Sequence, residues 1–225
     1  MRADFARFQW DHGLLKVDWA LSGPVPWTAR EAGSAGTVHV GADSTGLLDV
    51  AADLAAGRLP RTPYLILGQL TTSDPTRSPP GTESLWGYTQ VPHYALSDDA
   101  AVDAHVVRME AVLERHAPGF RDLVVGRAVS GPDTLQQQNP GLVRGALMAG
   151  TAGLHQQLVL RPTPGLGRAD TPVDRLFLAG ASAHPGGAVH GGPGAAAARA
   201  ALARSGLAGP AYAALIRAGH RVVHG

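Results

Sequence analysis

Between His184 and Gly194 the chain reads His-Pro-Gly-Gly-Ala-Val-His-Gly-Gly-Pro-Gly. Glycine carries no Cβ, so the backbone at Gly186, Gly187, Gly191, Gly192 and Gly194 can turn freely or approach a ligand closely. From Ala195 to Ala203 the residues are almost all alanine and leucine, strong helix formers, and Gly206 is placed to end that helix. A helix N-terminus beneath bare backbone favours phosphate or a developing anion, through free N–H groups and the helix dipole. The same composition also serves a tight connection in which small residues only permit close packing. His184 adds an imidazole that can exchange a proton, contact a cofactor or tie a loop by a hydrogen bond. No carboxylate or cysteine accompanies His184 and His190, so a metal site is not expected. His220 and His224 stand four apart on a terminal segment expected to be solvated.

These residues need elements to hold them. Leu176, Phe177, Leu178 and Ala179 form an apolar run ending at Gly180, the pattern of a strand covered on both faces. Strand, glycine-rich turn and alanine-rich helix therefore follow one another from Arg175 to Leu202.

That stretch resembles the C-terminal cofactor-contacting segment of phytoene desaturase-like FAD-dependent oxidoreductases, within the amine-oxidase-like flavoprotein group. The family pattern is an apolar strand, Gly, then His-Pro-Gly-Gly-Gly-Val, Gly and an alanine-rich helix. The chain matches it at Gly180, His184, Pro185, Gly186, Gly187, Val189 and Gly194, and departs at Ala188, where a third glycine is usual. The resemblance implies that Gly186 to Val189, Ala188 included, pass near a flavin ring. It implies too that the following helix points its N-terminus at the flavin. Leu14 to Trp27, the Asp-Pro-x-Arg-x-Pro-Pro-Gly loop from Asp74, the Trp86-Gly87-Tyr88 strand and Arg161-Pro162 look like further pieces of the same family. Coverage is most of the chain, but only the C-terminal half of the family's architecture. The dinucleotide fingerprint Gly-x-Gly-x-x-Gly, which seats a pyrophosphate on a helix N-terminus, does not occur: Gly165-Leu166-Gly167 fails at Asp170 and Gly192-Pro193-Gly194 at Ala197.

The remaining sequence is that of a globular protein. It has 225 residues, 44% hydrophobic and 16% charged, enough for one large domain or two small ones. A net charge of +1 gives no argument for nucleic acid or an anionic membrane as partner. The absence of cysteine excludes disulfide and thiolate chemistry, and the cytoplasm is the expected compartment. No signal peptide or membrane-spanning run is read. Strands are expected at Leu14–Ala20, Thr37–Val40, Tyr64–Leu67, Ser84–Val91, Leu123–Val129 and Leu158–Leu160. Helices are expected at Leu47–Ala56, capped by Asp43 or Ser44, and at Asp98–His116, Pro132–Gln138 and Pro210–Ala218, with a fraying end beyond His220. Trp86 and Tyr88 share one strand face and either line a substrate channel or join the core. No general base is named.

The expected fold class is α/β (α+β). A mixed sheet with flanking helices resembles the flavoprotein substrate domain over 1–165. Over 166–225 follows the returning strand and helix of an FAD-binding Rossmann-like domain whose N-terminal half is absent. The expected function is the C-terminal portion of an FAD-dependent oxidoreductase that dehydrogenates or isomerises an apolar substrate. FAD belongs to the complete enzyme and is not expected on this chain alone. Two alternatives stand beside it: a flavin-free module binding an apolar ligand or a partner, and one half of a split enzyme completed by a chain with the dinucleotide-binding half. The apolar strand and helix then predict self-association or a partner surface.

Overall fold

The computed structural model describes residues 2–96 and 98–224. The chain falls into two compact units, one of His12–Gly145 and one of Met1–Asp11 with Ala146–Gly225. This differs from a division at 165, because the segment from Ala146 to Arg161 is tied by hydrogen bonds to the loop at Ala181.

The His12–Gly145 unit is built on a five-stranded sheet of β1 (Gly13–Leu21), β2 (Thr37–Val40), β3 (Leu65–Gln69), β4 (Glu83–Val91) and β5 (Val124–Ser130), in the order β2-β3-β4-β1-β5. Every pairing is antiparallel. The period-two alternation of β1 puts Leu15, Val17, Trp19 and Leu21 on one face, where all four are buried. Leu65, Leu67, Leu85 and Val91 join them in the same core.

The long helices of this unit are α1 (Ser44–Ala55), whose first turn is capped by the Asp43 carboxylate, and α2 (Asp99–His116), capped by Asp98. Val106, Met109, Val112 and Leu113 of α2 are buried in the core cluster with the sheet residues. Each such side chain contributes about 1.5–3 kcal/mol by leaving water. Trp19 is held by an edge-on contact to Phe120 and by donating from Nε1 to Glu110, whose carboxylate also meets Arg127 at 2.9 Å.

In the other unit α3 (Gly192–Ser205) is followed by α4 (Gly209–His224). The expected helix after the glycine-rich turn is present and ends at Gly206. The expected strand at Leu176–Ala179 is not formed. Phe177 makes a single bridge to Asp170, and Leu176 is 50% exposed. An apolar run needs a neighbouring strand to pair with, and none lies beside it among the described residues. Leu158–Leu160 is also no strand but a tight helical turn with Leu158 at φ 53. The tail departs in the other direction: α4 continues through His220, which is buried, rather than fraying.

His105 on α2 is fully buried, and its Nε2 has no hydrogen-bond partner among the described residues. Burial, and secondarily the charge of Arg108, lower its pKa from 6.5 to about 4. The unfolded chain therefore binds this proton from about pH 6.5 downward while the fold resists it, so stability falls as pH drops from about 6.5 towards 4. Replacing His105 with Met should remove about 1 kcal/mol of the stability lost between pH 6 and pH 5, read from urea unfolding at the two pH values. Equal losses in both proteins would show that His105 does not cause the slope.

Candidate functional site

The glycine-rich loop is organised by a residue outside it. Arg161 is 2% exposed and donates only to backbone carbonyls. Its Nε and Nη2 reach Ala181 O at 3.2 and 2.8 Å, and Nη2 also reaches Met148 O and Gly150 O at 3.0 and 3.1 Å. Its Nη1 donates to Thr151 O at 3.1 Å and Gln156 O at 3.4 Å. The planar fork of five N–H donors allows one side chain to gather five carbonyls from separate loops. Burial draws its pKa down and the charge of Asp11 opposes the shift.

The loop carrying Gly180 to Gly194 rests on this centre. Turns close from Ala183 N to Gly180 O and from Gly186 N to Ala183 O. Gly186 is buried at φ +115, and a Cβ there would lie 3.3 Å from Arg161 Nε. Ala188, Val189 and His190 are exposed, Val189 completely.

The two imidazoles are fixed in opposite senses. His184 Nδ1 pairs with Leu158 O at 2.9 Å, and since a carbonyl only accepts, Nδ1 carries the proton and a neutral ring leaves Nε2 as a base. His190 Nδ1 accepts from Gly192 N at 2.8 Å, so its proton sits on Nε2. His190 thus satisfies one donor at the start of α3, while Pro193 has none and Gly194 N–H has no acceptor among the described residues. Pro185 is exposed at the turn between His184 and Gly186, and Gly180 opens the loop with free space on its α-carbon.

Beside the loop is a mainly apolar cavity of about 260 Å³, walled by Phe5, Phe8, Trp10, Leu178 and Gly180 among others. Phe8 and Trp10 meet edge-on with centroids 5.0 Å apart. The arm carrying them is anchored by a reciprocal pair, Gln156 Nε2 to Gln9 O and Gln9 N to Gln156 Oε1, both 2.9 Å.

Trp86 and Tyr88 lie in the other unit, on the half-exposed face of the sheet rather than in its core. Their rings are parallel within 4°, with centroids 5.8 Å apart. The indole lies against β3 at Gly68, where any side chain would collide with it. His39 and Tyr64 form a hydrogen-bonded pair, and His39 aligns with Ile66, which aligns with Tyr88. Burial, then the neighbouring Tyr64, raises the pKa of Tyr88.

Sequence reasoning missed the roles of Arg161, Gln156 and the His39–Tyr64 pair. One signal was available: Arg161 is the sole arginine, lysine or carboxylate between Arg144 and Arg168, in a stretch rich in glycine. An isolated cation in such a stretch has backbone carbonyls as its available partners. Among the described residues no group of three histidine, cysteine or carboxylate side chains is placed to hold a metal. No helix among them is long and apolar enough to cross a membrane.

The residues fit one wall of a flavin site: exposed backbone at Ala188 and Val189, and an N-terminus of α3 with a free N–H at Gly194. They do not supply a pyrophosphate turn, since the sequence has no Gly-x-Gly-x-x-Gly.

No protein-family model matches the chain. It is similar to the pyridine nucleotide-disulfide oxidoreductase domain-containing protein 2 of Rattus norvegicus, with 33% identity over 164 residues, and to that of Mus musculus, with 32% over 166. Each match covers 70% of this chain and 28% of the relative, so the chain spans less than a third of the length of these homologues.

The positive φ of Gly186 and its closeness to Arg161 set a conformational requirement. Gly186→Ala should cost roughly 1–3 kcal/mol in the 146–224 region, whereas Gly194→Ala, in open space, should be neutral or mildly stabilising. Denaturant melts of the two variants check this; equal stability would remove the requirement at 186.

Proposed function

We propose that this chain is the substrate-domain and C-terminal cofactor-contacting part of an FAD-dependent oxidoreductase of the phytoene desaturase type. A dinucleotide-binding segment outside this sequence, in the same or another polypeptide, completes it. The observation that carries the reading is the loop from Gly180 to Gly194. It offers bare, exposed backbone over an incompletely capped helix, on residues that match the family pattern. The oxidoreductase-domain homologues, more than three times longer than the matched stretch, support the general oxidoreductase part of this reading.

FAD, when bound, supplies a hydride acceptor, and the protein's part is binding and orientation. Gly186 to Val189 would run beside the flavin ring, and Gly194 N–H at the start of α3 would face an anionic oxygen. His184, its Nδ1 proton held by Leu158 O, would present Nε2 as a hydrogen-bond acceptor or base. The Trp86–Tyr88 face would line the path of an apolar substrate, its parallel rings giving a flat contact surface.

The surface around the loop supports completion by a further segment. Leu154 is 90% exposed, and Leu158, Val159 and Leu176 are exposed too. Covering about 500 Å² of such surface gives roughly 12 kcal/mol of gross driving force before association costs. The chain alone should therefore self-associate or capture its completing segment.

Absorbance and light scattering test the reading together. The chain by itself should show no flavin band and should elute as more than a monomer at micromolar concentration, whereas the completed protein should carry stoichiometric FAD. A clean monomer with no flavin in either form would overturn the proposal and favour a flavin-free binding module.

A further inference from the structure

The family resemblance directs attention to the loop but assigns no role to the buried cation beneath it. We infer that Arg161 is the positioning residue that preforms the His184–Gly187 loop before any ligand arrives. The inference rests on reading that loop as a flavin wall. Three features carry it.

The first is the partner set. All six side-chain hydrogen bonds of Arg161 go to main-chain carbonyls, from Met148, Gly150, Thr151, Gln156 and Ala181. No carboxylate accepts from it, so its role is to fix backbone rather than to neutralise an acid. The second is connectivity. The carbonyls come from the 148–156 segment and from Ala181, which the chain separates by more than twenty residues and which share no strand pairing. Arg161 N also donates to Leu158 O, the carbonyl that fixes His184, so one residue meets the loop's entry and shares an acceptor with its imidazole. The third is space. A Cβ at Gly186 would lie 3.3 and 3.5 Å from Nε and Cδ of Arg161, and at φ +115 any side chain would strain the backbone.

A fork with five donors is required for this arrangement. Lysine keeps the charge but has three donors at one point and cannot fill five carbonyls. A loop that is competent only part of the time lowers apparent ligand affinity by that same fraction. Loop order and flavin affinity should therefore fall together, which general destabilisation would not produce.

Hydrogen exchange on the chain measures loop order directly, at the amides of Ala183 and Gly186 that close its turns. Arg161→Lys should speed exchange there by about tenfold while amides of the sheet in His12–Gly145 keep their rates. In the completed flavoprotein, FAD affinity should fall in proportion to the closed fraction that these exchange rates give. Adding ethylguanidinium to Arg161→Ala should restore protection, and ethylammonium should not. Wild-type exchange rates in Arg161→Lys, or an affinity that does not follow the closed fraction, would overturn the inference. Equal rescue by the two cations would do so as well. Should Arg161→Ala fail to fold, Arg161→Lys decides alone. A completed protein without flavin would sink the proposed function, while the exchange rates would still settle the role of Arg161.

Discussion

A buried guanidinium that donates to backbone carbonyls and, among the described residues, to no carboxylate is the constraint on which the loop-rich unit depends. Removing such a charge from water costs several kcal/mol unless every donor is met. Here the donors are met by carbonyls, each charge-assisted bond returning about 1.5–3 kcal/mol. The carbonyls in turn need Arg161, because loops such as 148–156 lack a ladder to satisfy their backbone. The requirement is mutual: cation and loops are each costly alone and stable together. The Gly180–Gly194 loop acquires its shape from that arrangement rather than from its own composition.

The two units therefore stand on different physics. In His12–Gly145, alternating apolar residues on paired strands bury one face beneath α2, and hydrophobic transfer dominates. In the other unit the buried apolar cluster is small, made of Ala169, Ala197 and Ala200 with Phe177 and Ala196 against it. Polar contacts carry more of the burden there. Tyr212 donates to the buried Asp170 at 2.8 Å, and Arg204 lies beside the same carboxylate at 3.6 Å. These contacts join α4, α3 and the segment before the loop. A unit held in this way can leave Leu154, Leu158 and Val159 uncovered without collapsing.

Much of the sheet unit was legible in the sequence because its signal is local. Leu15, Val17 and Trp19 alternate, Asp43 and Asp98 stand where helix caps are needed, and Val106, Met109 and Leu113 recur at helical spacing. The alanine-rich helix and its stop at Gly206 were legible for the same reason. What failed was partnership. Leu176 to Ala179 has the composition of a buried strand, but a strand requires a neighbour, and composition carries no information about one. Leu158 to Leu160 looks extended yet turns at Leu158, where the carbonyl is directed to His184 and Arg161. Within the candidate site, the glycines and His184 could be picked out by type. The clamp could not, because it is made of carbonyls that every residue possesses, and only the placement of Arg161 reveals it.

On the proposed reading, the Gly180–Gly194 loop of this chain lies against the flavin of a larger oxidoreductase. Photolabelling the completed protein with 8-azido-FAD, followed by peptide mapping, tests that claim without reference to turnover or substrate. Label recovered on this chain should fall within residues 180–194. Label on this chain confined to other peptides, with the 180–194 peptide recovered unmodified, would contradict it.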